Sequence, residues 1–485
     1  MKYNRRGGRV VPGYVSEAAL LLTDAMREAG VCEADRRRFL TWTVGKMWNE
    51  YRNERMNQRI DAEQQIKSLG IRLANGTVGK PYKQVLTLPA GVVSNVRVES
   101  ADGNELATLG LKFDYDAASC EGILSGEPRQ SCDLKLRIIY DTVEGEPASE
   151  LILPLVINCN PRDLWKNIAT EPDIEFPKED EEKHYIFVEA GPDGHERKDI
   201  VAASKRGRSH AQEGKPRDDH FGVYYCTESG WYIMAVADGA GSAKFSRKGS
   251  EVACDTVVEH CKSLLLDNPE FEAAIRDYEA DRENNEKRTA ATKFVIDIVY
   301  NGAMKAHDAI KKVAMATDGS LLKDFATTLM FAVCKKYEFG WFIASFWVGD
   351  GAMALLDINN KSVKLLGTPD EGEYSGQTRF LTMPEIFRDP EVAIKRLRMA
   401  IVPDFTALLL MSDGVSDPMF ESDSNLNDFY RWESFYNRLR QGFPEDGIGG
   451  VALSHNDKSA QDQLLRWLDF WSPGNHDDRT IAILY

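Results

Sequence analysis

Residues 231–253 read WYIMAVADGAGSAKFSRKGSEVA. The first seven are an unbroken apolar run, the length of a strand covered on both faces, and the run stops at Asp238-Gly239. The same grammar returns twice: WFIASFWVGDG (341–351) stops at Asp350-Gly351, and TALLLMSDG (406–414) stops at Asp413-Gly414. Two more acidic pairs precede strand-like runs, Asp218-Asp219 before HFGVYY (220–225) and Asp477-Asp478 before TIAILY. Asp-Gly is also a strong hairpin signal, so any one doublet taken alone reads more readily as a plain turn; at Asp350-Gly351, apolar on both sides, turn and ligand are compatible. Five strands with aspartates at an end, within one stretch of chain, make a constellation more specific than any member.

Carboxylates gathered at one edge repel one another, and burying them unpaired is costly, so a positive charge has to sit among them. Oxygen ligands without histidine or cysteine select hard cations, Mg2+ or Mn2+. The eight histidines show no metal-ligand spacing, and the eight cysteines include no C-x-x-C pair, which is reduced-thiol usage without a zinc or redox motif. Two such ions roughly 3.5–4 Å apart can bridge one water, lower its pKa and neutralise a phosphoryl group undergoing in-line displacement. The pattern points to metal-assisted phosphoester hydrolysis. The stretch 238–250 lacks the spacing of a phosphate-cradling loop; it reads either as a turn that brings the Gly239 carbonyl to a cation or as a strand-to-helix connection. Residues 325–329, FATTL, read as the small-residue start of a buried strand.

The rest of the 485 residues bounds the class. With 43% hydrophobic and 28% charged residues, a wholly disordered, collagenous or fibrous chain is excluded. No apolar run approaches the roughly 18 residues of a membrane span. The start, MKYNRRGGRVVPGY, has no apolar stretch behind its charges, so a cytoplasmic protein is expected. A net charge of −16 argues against binding nucleic-acid backbones. Residues 1–75 hold 14 Lys and Arg against 9 Asp and Glu. They read as a helical segment: Ser16 caps a first helix, Gly30 separates it from a second, and Leu40, Val44, Met47 and Tyr51 share one face. Trp42 and Trp48 are expected in a small helical core. Residues 76–158 alternate in short runs, such as QVLTLPAG, LGLKFDY and DLKLRIIYD, and form an all-β module. Residues 159–190, with three prolines and the run EDEE, read as a connector, and 191–485 as a third domain.

Two resemblances sharpen this. The string LPAG…LGLKFDYDAASCEGILSGEPRQSCDLKLRIIY (88–140) resembles bacterial immunoglobulin-like domains, which implies a β-sandwich with a binding or spacing role over 76–158. The pieces SKRGRSHAQEGKPRDDHF (204–221), AVADGAGSAKFSRKGSEVA (235–253), FATTL, WVGDG (347–351), LLLMSDGVSD (408–417) and DDRTIAIL (477–484) resemble, in order and spacing, the metal-dependent serine/threonine protein phosphatases of the 2C type, bacterial branch. This implies a C-terminal α+β four-layer sandwich over 191–485, two antiparallel β-sheets flanked by helices, with Mn2+ or Mg2+ as cofactor. It further implies that Asp219 and Asp238 hold a two-metal centre, Asp238 bridging and the Gly239 carbonyl contributing. Asp413 and Asp477 complete the first metal's surroundings, and Asp350 serves a third, weaker metal. Asp218 stands where the family usually has Glu, a shorter acid that acts through water. Where many members carry an arginine for the substrate phosphate, this chain has Gly214; Lys215, Arg217, Arg208 and His210 are the candidate substitutes. His210 is also a candidate general acid, against the plainer reading of a structural hydrogen bond. Ala240 replaces a histidine common in eukaryotic members.

The implied function is removal of phosphate from phosphoserine or phosphothreonine in a protein substrate by a metal-bridging water, with signalling against a serine/threonine kinase as counterpart. A different class remains open, an inactive phosphatase-like module that binds phosphoproteins or senses a ligand; Gly214 and Asp218 favour it, and the intact Asp219, Asp238, Asp413 and Asp477 oppose it. A haloacid-dehalogenase-type enzyme needs a D-x-D pair that Val236-Ala237-Asp238 does not supply.

Overall fold

A run such as GWFIASFWV (340–348) has no polar face, so it can be a strand only where both faces are covered. In the computed structural model they are covered: every residue of Trp231–Ala237, Gly340–Val348, Ala407–Met411 and Arg479–Leu484 is buried. The structure describes residues 13–101, 103, 105–143, 146–190, 197–370, 378–388 and 390–485, and the chain divides into two units, Met1–Leu164 and Trp165–Tyr485.

In the second unit, one sheet runs in the order His220–Tyr225, Trp231–Ala237, Leu329–Tyr337, Gly340–Val348, Leu397–Val402, and a second in the order Ser362–Leu365, Ala352–Asp357, Ala407–Met411, Arg479–Leu484, Ile200–Lys205, Glu181–Ile186. All neighbours are antiparallel. Alternation of side chains sends the two faces of each strand into different cores. Ile233 and Ala235 pack with Val257 and Ala306 from the helices Ser246–Leu265 and Asn301–Ala316. Tyr232, Met234 and Val236 pack with Met353, Leu408 and Ala482 of the second sheet. The other face of that sheet, with Leu409 and Ile481, packs with Trp432 and Leu464 of two C-terminal helices. Each fully buried Val, Leu, Ile or Met side chain among them contributes about 1.5–3 kcal/mol.

This arrangement explains the Asp-Gly doublets. Gly340–Val348 lies in the first sheet and Ala352–Asp357 in the second, so Asp350-Gly351 carries the chain between sheets and is not a hairpin. None of Gly239, Gly351 and Gly414 has a positive φ. A Cβ on Gly351 would meet Met411 O at 2.4 Å, and one on Gly414 would meet Asp478 O at 1.9 Å. Glycine is needed there because backbones of different strands come together, not because a turn requires it.

In the first unit, the described part of the first helix begins at Gly13, three residues before the expected cap Ser16, and runs to Glu28; the second is Glu33–Ser68. Gly30 sits between them with φ +78°, as its position demands. Trp42 and Trp48 are 60% and 53% exposed, which corrects the expected helical core; of the second helix only Ala62 and Ile66 are buried. The β module has a four-stranded sheet (Gly76–Thr77, Ser149–Asn158, Cys132–Asp141, Ser94–Ser100) and a three-stranded one (Tyr82–Thr87, Glu121–Gly126, Leu111–Asp116). Their inner faces share cores around Leu124, Leu136 and Leu155, and around Leu86, Ile138 and Leu153.

The expected connector, 159–190, is not uniform. Glu181–Ile186 is the edge strand of the second unit's larger sheet. Residues 165–180, irregular as their prolines suggest, are stitched onto that unit. Arg206, with its side chain 3% exposed, donates to Asn167 Oδ1 (2.6 Å), Thr170 Oγ1 (2.9 Å) and Ile168 O (3.1 Å). Arg247 donates to Glu175 O and Phe176 O, and the Phe176 ring packs edge-on to Phe245. Among the described residues no helix is long and apolar enough to cross a membrane.

Candidate metal centre

The strand Trp231–Ala237 delivers Asp238 to the seam between the sheets, and two threonines fix its backbone. Asp238 N donates to Thr328 Oγ1 (2.8 Å), while Asp238 O accepts from Thr328 N (2.8 Å) and Thr327 Oγ1 (2.9 Å). The FATTL segment does open a buried strand, Leu329–Tyr337, and it also holds this acid. Gly239 is packed against the other acidic pair: a Cβ there would meet Asp218 O at 2.7 Å and Asp218 Cβ and Ser246 Cβ at 2.9 Å. Asp413 is the first residue of the helix Asp413–Phe420, where negative charge suits the helix N-terminus. Asp350 stands at the crossing between sheets and accepts a hydrogen bond from Thr378 Oγ1.

One carboxylate oxygen from each of Asp238, Asp350 and Asp413 lies within 4.8 Å of the others. Asp219, 1% exposed, accepts from Ser412 Oγ (2.8 Å) through Oδ2, and Ser412 Oγ in turn accepts from Thr480 N (3.0 Å). Crowding of this kind shows in the acid strengths. Burial, then Asp413 and Asp219, push Asp238 well above the ordinary carboxylate range. Burial, with Asp350 and Asp477 nearby, does the same to Asp413. Burial and then Asp478 push Asp219 up to about 7 and Asp218 up to about 6. Burial also raises Asp350 and Asp477.

A cation fits this set on the structure's own terms. Asp218 Oδ1, Asp219 Oδ1 and Asp413 Oδ1 are buried oxygens with no hydrogen-bond partner, an arrangement that costs about 1–3 kcal/mol each, and more for charged groups, unless something else satisfies them. The donors are carboxylates, the chemistry of hard divalent ions.

Asp477 and Asp478 take different parts. Asp478, 2% exposed, accepts from Gly207 N (2.6 Å) and Asp218 N (2.5 Å) and stands 3.0 Å from His210 Nδ1. Burial opposes its ionisation, but His210 and those two amides win and hold it below the usual range. Burial likewise opposes charge on His210, and Asp478, Asp218 and Asp477 overcome it, raising the imidazole to about 9. Sequence spacing could not reveal a histidine gathered with acids more than half the chain away; His210, Asp477 and Asp478 form a second ligand-capable group.

Of the candidate phosphate cations, His210 is brought among the acids, while the other three are held by other partners. Arg208 is tied to Asp469 Oδ1 and O (2.8 Å each) and Phe470 O (3.2 Å). Arg217, 1% exposed, donates to Glu182 Oε2 (2.7 Å) and Glu179 O (3.1 Å). Lys215 is half exposed beside Glu213 (2.7 Å). A cation that sequence reasoning passed over is Lys178, on the docked connector. It donates to Ser250 Oγ and Arg247 O (3.3 Å each), and Ser250 Oγ donates to Asp218 O (2.5 Å). Burial, then Arg217, pull its ammonium down to about 8. Asp417, one turn after Asp413, was also missed; burial and then Asp350 raise it to about 6. Its only signal was the spacing in SDGVSD.

A family model described as Protein phosphatase 2C matches residues 206–469, a span that includes Asp218, Asp219, Asp238, Asp350 and Asp413 and ends before Asp477. The chain is similar to several solved structures. One is a bacterial serine phosphatase (16% identity, 59% of this chain and 96% of that one, TM-score 0.32). Others are the S. agalactiae serine/threonine phosphatase (14%, 59% and 98%, 0.34) and the serine/threonine phosphatase Stp1 from Staphylococcus aureus (15%, 65% and 98%, 0.30). No curated protein matches the chain.

Proposed function

The chain belongs to the protein phosphatase 2C family, and from that premise we propose that it is a metal-dependent serine/threonine protein phosphatase hydrolysing phosphoserine or phosphothreonine in a protein substrate. The observation that carries this is the meeting of Asp238, Asp350 and Asp413 from two different sheets, with unpartnered oxygens on Asp413, Asp218 and Asp219. Such a set has no purpose in a folded core without a cation to neutralise it. Two Mn2+ or Mg2+ ions, when bound, supply a water of lowered pKa and offset the charge of the transferring phosphoryl group.

The residues then divide the work. Asp238, held by Thr327 and Thr328, would hold the ions together with Asp219, Asp413, Asp477 and the Gly239 carbonyl. Asp218, one methylene shorter than the Glu usual there, would act through water, and Asp350 would hold a third, weaker ion. Ser412 orients Asp219. The stacked cores support reading the second unit as four layers, helices outside two sheets, and the two-sheet β module supports an immunoglobulin-like sandwich over 76–158. Residues 1–158 present or select targets, a serine/threonine kinase supplies the substrate, and the reaction runs in the cytoplasm.

A second reading, an inactive phosphoprotein-binding module, is favoured by one observation: Arg208, Arg217 and Lys215 all have other partners. Hydrolysis of a phosphothreonine peptide and of para-nitrophenyl phosphate separates the two. Turnover with Mn2+ or Mg2+ that chelator abolishes is the expected result; folded protein inert with both ions removes the enzyme reading.

A further inference from the structure

His210 carries a feature that neither a structural histidine nor a substrate-facing one requires. It is 7% exposed; its Nδ1, a buried nitrogen without a hydrogen-bond partner, faces Asp478 Oδ2 at 3.0 Å, and Asp478 is itself anchored by Gly207 N and Asp218 N. Each oxygen of Asp478 accepts one of these backbone amides. Nε2 makes no hydrogen bond either. It lies 3.8 Å from Asp477 Oδ1 and 3.9 Å from Asp218 Oδ2, too far to donate to either. Those separations fall in the range of about 3–4 Å found between donor atoms that share one ion with bonds of about 2.1 Å. Asp218 adds a buried, unpartnered Oδ1. On the loop after Asp238, Gly241 leaves the Nε2 side clear, since even an added Cβ would come no nearer than 3.7 Å.

A carboxylate beside one imidazole nitrogen, with the other nitrogen turned to acids, is the placement from which a metal-ligating histidine donates its second ring N–H once an ion is bound. We propose that His210 Nε2 is a nitrogen ligand to a divalent cation shared with Asp477, with which its ring forms a ligand-capable group. The proposal rests on the metal-centre reading above and deepens it. An all-oxygen set accepts Mg2+ as readily as Mn2+; an imidazole shifts the preference toward Mn2+ and later ions, which take nitrogen better than magnesium does. His210 is then held in its neutral form with the proton on Nδ1, and the role of general acid falls away, as does that of phosphate cation.

Pulsed electron paramagnetic resonance of the full-length protein loaded with Mn2+ reads this directly, because a coordinated 14N modulates the echo decay. The expected result is 14N modulation in the wild type that is lost in His210→Gln, with Mn2+ affinity at that site at least about tenfold weaker and Mg2+ affinity changed less. Should His210→Gln not fold, by circular dichroism, His210→Asn is measured in its place. Bound Mn2+ without 14N modulation in the wild type, or modulation that persists in the variant, overturns the His210 assignment. The metal-centre reading is judged separately by Asp238→Asn: loss of bound Mn2+ there keeps that reading even where the His210 assignment fails, whereas a wild type that binds no Mn2+ overturns both.

Discussion

Asp219→Asn should make the metal-free protein more stable and the metal-loaded protein less so. Asp219 is almost fully buried, and its acid strength moves from the ordinary 3.8 to about 7 in the fold. A raised value means that the folded state binds the proton more tightly than the unfolded one. Its stability is therefore undiminished below about pH 4 and is lost as pH rises to 7, after which the loss is constant. At about 1.4 kcal/mol per pH unit, the metal-free fold carries a penalty of about 4 kcal/mol at pH 7.5. Asparagine removes the charge and keeps an oxygen for the Ser412 Oγ hydrogen bond, so a gain of about 1–4 kcal/mol is expected after repacking, or about 2–8 °C in Tm at about 2 °C per kcal/mol for a unit this size. At pH 4.5 the gain should shrink below about 1 kcal/mol. Saturating Mn2+ should reverse the order, since ligand at 100 times its Kd adds about 2.7 kcal/mol to the wild type and less to the variant. Thermal unfolding by calorimetry in chelator and in Mn2+, at both pH values, checks all four combinations. A variant less stable than wild type in chelator at pH 7.5, or equally stabilised by Mn2+, refutes the reasoning.

Three further outcomes follow from the geometry. Gly239→Ala places a Cβ 2.7 Å from Asp218 O, and the shift this forces should destabilise by about 1–3 kcal/mol and weaken Mn2+ binding in calorimetric titration. Arg206→Ala removes a buried fork from Asn167, Ile168 and Thr170; a loss of about 2–4 kcal/mol in urea unfolding, with new proteolytic cleavage within 165–180, is expected. Arg396→Ala strips Asp370 of both its 2.7 Å bonds in a site where the pair is about nine-tenths buried, so about 3–5 kcal/mol should be lost, read as a lower urea midpoint.

The strand ends were legible because an apolar run has few ways to be buried, and a carboxylate at its end needs a partner. Asp238, Asp350 and Asp413 do converge, although the doublets were ambiguous until the sheets were known: whether Asp350-Gly351 turns a hairpin or crosses between sheets is decided by pairing partners far away in sequence. Asp477 and Asp478 are the same residue type side by side, and only the fold distinguishes an acid that faces its neighbours from one clamped by Gly207 and Asp218 amides. The connector misled through composition. Prolines and acids describe local preference, while Arg206 and Arg247 recruit its backbone carbonyls from elsewhere in the chain. The exposed Trp42 and Trp48 failed the opposite way, since periodicity marks a face without supplying what covers it.

The central claim, that these aspartates hold ions which hydrolyse a phosphoester, meets its most direct test in one comparison: initial rates on a phosphothreonine peptide with Mn2+ for wild type and Asp238→Asn, both shown folded. The account predicts turnover by the wild type and a loss of about 10³-fold or more in the variant, about 4 kcal/mol of transition-state stabilisation. Equal rates in the two proteins, or none in either, contradict it.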